Sequence, residues 1–129
     1  MIDKILFITL SNIGDVILTL PALDILHSDY PRAKITVVSG ERAKEIFENN
    51  PFVSRFIPYN KRATVVERRA LYRELKAQEF DIVVDMRNTL YGALVPAKYR
   101  TSSFVSVPGN VLNMRDRHIY KIKGLIEKI

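Results

Sequence analysis

Cysteine is absent from the 129 residues, which excludes disulfides, thiolate metal ligands and a cysteine nucleophile. Glycine is scarce, with five in the whole chain, and none of them builds a G-x-G-x-x-G turn or stands before a lysine. A dinucleotide fingerprint and a Walker A loop are therefore both missing, and nicotinamide hydride chemistry and P-loop phosphate binding go with them. Long apolar runs are lacking too. Charged or polar residues interrupt each one well before the roughly 18 residues a bilayer span requires, so any membrane contact is expected to be peripheral. Met1-Ile2-Asp3-Lys4 leads into a strand-like run rather than a basic region and a cleavable apolar segment, and the expected location is the cytoplasm. The chain also lacks an aromatic-studded strand face, a recognition-helix pattern or a concentrated basic tract, so nucleic acid is not an expected partner.

What is present is the balance of one soluble globular domain: 47% hydrophobic and 26% charged residues. The formal charge of +6 favours anionic partners such as phosphorylated sugars or acidic lipid head groups, without choosing among them, and suits an ordinary basic surface equally.

Runs rich in β-branched and aromatic residues recur at Lys4 to Thr9, Lys34 to Val38, Val53 to Ile57, Asp81 to Asp85 and Ser102 to Val107. Helical stretches lie between them at Asp15 to Ser28, Glu41 to Asn49, Ala63 to Gln78 and Thr89 to Tyr99, with a last one from about Arg117 to Lys128. Strands alternating with helices imply right-handed crossovers, hence a Rossmann-like α/β fold with a parallel sheet covered on both faces. ILFI and IVV are unbroken apolar runs, as strands buried on both faces require. Tyr30-Pro31 and Asn49-Asn50-Pro51 end helices, and Pro58 is expected to close the third strand. Pro21 interrupts the first helix, which should bend there or start twice.

Ligands of an open parallel sheet bind beyond the carboxyl ends of its strands. The residues Leu10-Ser11-Asn12-Ile13-Gly14-Asp15 occupy that position after the first strand. Gly14 would let the backbone approach a ligand or take positive φ, and the first N–H groups of the helix would point at it. Asp15 has two compatible readings. It can cap the helix, contributing about 1 kcal/mol. It can also stand as a carboxylate at the mouth of the sheet, kept ionised by the helix N-terminus, and accept a proton from a substrate hydroxyl.

The stretch KILFITLSNIGDVILTLPALDIL resembles the opening of the family 9 glycosyltransferases, the ADP-heptose:lipopolysaccharide heptosyltransferases, with its Ser-x-x-Gly-Asp followed by Leu-Pro-Ala-Leu. Asn50-Pro51-Phe52-Val53, the run Phe80 to Asp85, and Arg117-His118 fall in that family's order and spacing, so the likeness extends along the whole chain. It implies half of a two-domain GT-B arrangement: residues 1–129 as the N-terminal, acceptor-binding Rossmann-like domain, with the C-terminal donor-binding domain not included. It also implies transfer of heptose, or another sugar, from a nucleotide-sugar, with ADP-heptose as the expected donor, to a phosphorylated lipopolysaccharide core at the inner face of the cytoplasmic membrane. Asp15 is then the general base of an inverting displacement, and Ser11, Asn12, Ile13 and Gly14 form the loop near the donor phosphates. No metal and no cofactor are implied, and the domain by itself should have little activity. The rival reading is a non-catalytic nucleotide- or anion-binding module.

Two departures from the family pattern stand out. Asp85-Met86-Arg87-Asn88 replaces the Asp-x-Gln-Gly common after the fourth strand, and Thr9 stands where a basic residue is often found. Among the cations, Lys61 and Arg62 follow the third strand on the ligand-facing edge and suit a phosphorylated acceptor. Arg87 and Asn88 lie past the fourth strand on that edge, although Asn88 can equally cap a helix. The resemblance suggests anion contacts for Arg115 and Arg117, while His118 reads as structural. Arg68, Arg69 and Arg73 share a helix with Glu67 and Glu74 and read as a solvated face, with Leu71, Tyr72 and Leu75 as its buried side. Lys121, Lys123 and Lys128 on the last helix could touch anionic lipid or form a plain exposed face.

Overall fold

The computed structural model describes residues 2–9, 13–60, 62–86, 94–100 and 126. Five parallel strands form one sheet: β1 (Lys4–Thr9), β2 (Lys34–Gly40), β3 (Val53–Tyr59), β4 (Ile82–Asp85) and β5 (Tyr99–Arg100), in the order β3-β2-β1-β4-β5. The chain travels outward from β1 to β3, then crosses back to lay β4 on the other side of β1. That reversal makes the β1/β4 boundary the topological switch point, the place where open parallel sheets bind their ligands.

Strand β1 is central because its side chains are apolar on both faces. Ile5 and Phe7 point to one side, Leu6 and Ile8 to the other, and all four are fully buried. The first side is covered by α1 (Ile13–Asp29), through Val16, Ala22, Leu23 and Leu26, and by the short α2 (Lys44–Glu48), through Phe47. Leu75 of α3 (Val65–Ala77) covers the second side, with Leu71 and Tyr72 half-buried beside it. This is the buried side expected for that helix.

Local chemistry sets the ends of α3. The Thr64 hydroxyl accepts a hydrogen bond from the Glu67 N–H at 3.2 Å, capping the first turn. At the other end Glu79 takes the left-handed conformation (φ 56°) that commonly terminates a helix, although glycine more often supplies it.

Three expectations need correction, and the one for Pro21 is narrowed to its first alternative. Pro58 does not close the third strand but lies inside it, paired with Ser39, and β3 runs on to Tyr59. Because β3 is an edge strand, proline's missing N–H is tolerated there. Helix α1 passes through Pro21 as one element and so does not start twice. Tyr99 belongs to a strand rather than to the end of a helix, and β5 pairs with Ile82 and Val83 of β4. The second helical stretch divides into a 3-10 turn, Glu41–Ala43, followed by α2. The strand expected at Ser102 to Val107 lies outside the described residues, as does the helix from Arg117 except Ile126, which is helical.

At the amino edge of the sheet, Asp81 ties the strands together. Its carboxylate accepts from the N–H groups of Asp3 (2.8 Å) and Lys4 (3.1 Å), and its own N–H donates to the Lys4 carbonyl at 2.9 Å. The hydrogen bond from Asp3, with that from Lys4 and the nearby charges of Lys98 and the terminal amine, holds the carboxyl below its ordinary range despite the opposing effect of burial. A depressed folded-state pKa contributes stability above the unfolded value of about 3.9, and that contribution is lost as pH falls through the lower folded value. Asp81→Ala is accordingly expected to lower stability by about 1–2 kcal/mol at neutral pH. In urea titrations the gap from wild type should close as the solution is acidified below the folded pKa. A gap of the same size in strong acid would mean that packing, not the charge, is responsible.

Candidate functional site

The carboxyl edge of the sheet is built from the ends of β1, β2 and β4 and the start of α1. Thr9 ends β1 and is fully buried, and its carbonyl accepts from the Ser39 hydroxyl at 2.6 Å, which locks the ends of β1 and β2 together. The Thr9 hydroxyl has no hydrogen-bond partner among the described residues. A buried hydroxyl left so costs free energy, and here it belongs to the last residue of β1. On the other side of β1, Asp85 ends β4 opposite Ile8 and is buried, and the Met86 N–H donates to the Ile8 carbonyl at 2.9 Å.

Helix α1 begins at Ile13, two residues before the expected start. Asp15 is therefore the third helical residue and not the residue flanking the helix, where the capping role was foreseen for it. Gly14 lies within the helix, and no glycine among the described residues has positive φ, so Gly14 does not serve a left-handed turn.

Arg62 is exposed in the turn after β3. The Asn60 side chain shapes that turn, its Oδ1 accepting from the Arg62 N–H at 2.9 Å while the Asn60 carbonyl accepts from Ala63 at 3.0 Å. Asparagine turns of this kind are readable in sequence, and Asn60 was not singled out there. Since β3 lies two strands from β1, Arg62 and the start of α1 share one edge about 10 Å apart in the sheet direction. Ser11, Asn12, Lys61, Arg87, Asn88, Arg115, Arg117 and His118 lie outside the described residues.

A second feature escaped the sequence reading. An open cleft of about 470 Å³ runs between β3 and α3, lined among others by Tyr59, Asn60, Glu67 and Arg68, with the ion pair of Arg55 and Glu74 at its side. Its upper end reaches the Asn60 turn. The charged partners are 19 residues apart in sequence and meet only because α3 folds back along the edge strand.

With this geometry in view, comparison with known proteins gives a consistent result. The chain superposes on a glycosyl transferase family 9 structure from Veillonella parvula with a TM-score of 0.82, at 23% identity, over 95% of this chain and 41% of the other. It has the fold of the family 9 glycosyltransferases. The Escherichia coli heptosyltransferase WaaC, solved with ADP-2-deoxy-2-fluoro heptose, matches with a TM-score of 0.72 and 20% identity over 96% of this chain and 48% of that one. In sequence, a Haemophilus influenzae protein bearing the name "Putative glycosyltransferase" is 30% identical over 93 residues, which is 71% of this chain and 27% of the relative. The chain thus spans between about a quarter and a half of the length of these proteins. No protein-family model matches it. The family 9 fold accounts for the strand order. Among the described residues no helix is long and apolar enough to cross a membrane.

Proposed function

We propose that this chain is the acceptor-side, N-terminal half of a family 9 glycosyltransferase that moves heptose from ADP-heptose to a phosphorylated lipopolysaccharide core. The observation that carries this reading is the placement of Gly14 and Asp15 in the first turn of α1, on the carboxyl edge beside the switch point, in a fold shared with a heptosyltransferase that binds an ADP-heptose analogue.

In this reading the Asp15 carboxylate removes the proton from an acceptor hydroxyl as the oxygen attacks the anomeric carbon. The bond from that carbon to the diphosphate oxygen breaks on the opposite face, ADP leaves with the electron pair, and the anomeric configuration inverts. The N–H groups of Ser11, Asn12, Ile13 and Gly14 are the proposed contacts of the departing diphosphate. Arg62 and Lys61, with Arg87, Asn88, Arg115 and Arg117, supply the cations and polar groups for acceptor phosphates. The long path from α1 to Arg62 and the β3–α3 cleft suits an oligosaccharide better than a single sugar. The donor-binding half belongs outside these 129 residues, and the reaction takes place at the cytoplasmic face of the membrane without a metal or cofactor.

The test is sugar transfer by the two-domain protein, followed by release of ADP. Release should require the core acceptor, and the product should carry the inverted anomeric linkage. Retention of configuration would remove Asp15 from the role of base in a single displacement.

A further inference from the structure

Helix α3 carries more exposed apolar surface than a solvated helix needs. Val65 and Val66 in its first turn are 69% and 76% exposed. At about 100° per residue, Val65, Lys76, Arg69, Arg73, Val66, Ala77 and Ala70 fall in that order on one arc of about 140°. All seven are exposed, and the arc lies opposite the side that buries Leu75. It holds three cations and four apolar residues and no carboxylate. Both acids of the helix, Glu67 and Glu74, fall on the flank that lines the cleft, where Glu74 pairs with Arg55. Exposed Arg62 extends the basic surface past the start of the helix.

The arc is free of carboxylates, while Glu67, Glu74 and the remaining cation of the helix, Arg68, line the cleft. A face that mixes protruding branched apolar side chains with arginine and excludes carboxylates matches the boundary layer of an anionic bilayer, where the valines enter the acyl region and the guanidinium groups meet phosphates. Because α3 follows β3, its first turn lies at the carboxyl edge of the sheet, the same edge as the start of α1. We propose that the outward face of α3, centred on Val65, Val66, Arg69 and Arg73, docks the protein on an anionic lipid surface. The binding itself rests on the structure of α3. Its purpose, holding the carboxyl edge against a membrane-borne acceptor, rests on the glycosyltransferase reading.

Co-sedimentation of the full chain with phosphatidylcholine vesicles, with and without phosphatidylglycerol, tests the proposal. Binding is expected to the anionic vesicles only and to weaken as salt is raised. Arg69→Gln with Arg73→Gln should reduce partitioning about 30-fold, two charges at about 1 kcal/mol each. Val65→Ser with Val66→Ser should reduce it severalfold while leaving the net charge and the circular dichroism spectrum unchanged. Three results would overturn the proposal. One is equal binding to neutral vesicles. Another is loss of binding on replacing Lys121, Lys123 and Lys128 with glutamine while both α3 variants bind normally. The third is tighter binding to a single-stranded oligonucleotide than to vesicles, sensitive to the arginines but not to the valines. No sugar donor is present in this assay, so a protein that binds vesicles but fails to transfer sugar rejects the catalytic reading alone, and the reverse outcome rejects only the lipid surface.

Discussion

Asp15→Asn in the two-domain protein is expected to lower kcat by about 10²- to 10⁴-fold, the range contributed by a positioned general base. The substitution keeps the shape and a hydrogen-bonding oxygen, so acceptor binding should survive with KM changed little, but it removes the group able to take the proton as the glycosidic bond forms. The position of Asp15 in the first turn of α1 is what gives this expectation its strength. Asn cannot accept the proton at any pH, so the variant should also lose the acid limb of the pH profile of kcat. Steady-state kinetics across pH decide the matter. An unchanged kcat would leave Asp15 with only a structural contribution to the helix start, and would move the base elsewhere on the edge.

Replacement of Phe7 by alanine should have the largest effect on folding. Phe7 is fully buried in the central strand, facing α1, and is flanked in register by Val37 of β2 and Val84 of β4. Removing the ring forfeits its burial and leaves a void that strands fixed on both sides cannot collapse to fill, at a cost of about 3–5 kcal/mol. That is a large part of the 5–15 kcal/mol typical of a whole domain. A fall in Tm of roughly 10–20 °C is expected for a chain of this size. Calorimetry showing a loss below about 1 kcal/mol would mean that the region around β1 repacks, contrary to the tight two-faced burial seen in the structure.

The parallel sheet was legible in the sequence because strands buried on both faces leave continuous apolar runs, and ILFI and IVV are such runs. The buried side of α3 was legible for the matching reason that Leu71, Tyr72 and Leu75 recur at helical spacing. Less visible were features decided by neighbours. Two-residue β5 exists only because Ile82 and Val83 offer their backbone to Tyr99 and Arg100, and nothing local distinguishes those residues from a helix end. Pro58 was read as a terminator because the edge position that excuses it depends on strand order.

The site divides along the same line. Ser-x-x-Gly-Asp announced itself as the loop after the first strand, and the structure places Gly14 and Asp15 at the carboxyl edge, although as helical residues rather than as the cap. The β3–α3 cleft was invisible, because its walls come from separate segments that only the crossover brings together. The acid-free arc of α3 was written in the sequence as Val65 to Ala77, but its meaning depends on knowing which side of the helix Leu75 buries.

The most direct measurement compares transfer of labelled heptose from ADP-heptose to a truncated, phosphorylated core by the chain alone and by the same chain joined to a family 9 donor-side domain. Turnover by the joined protein, with the chain alone at background, is the predicted result, since the proposed reading puts the base and acceptor groups on this half and the donor site on the other. Equal turnover by the chain alone, or a joined protein that binds ADP-heptose and the acceptor yet transfers nothing, would contradict the assignment of this chain as the acceptor-side half of a glycosyltransferase.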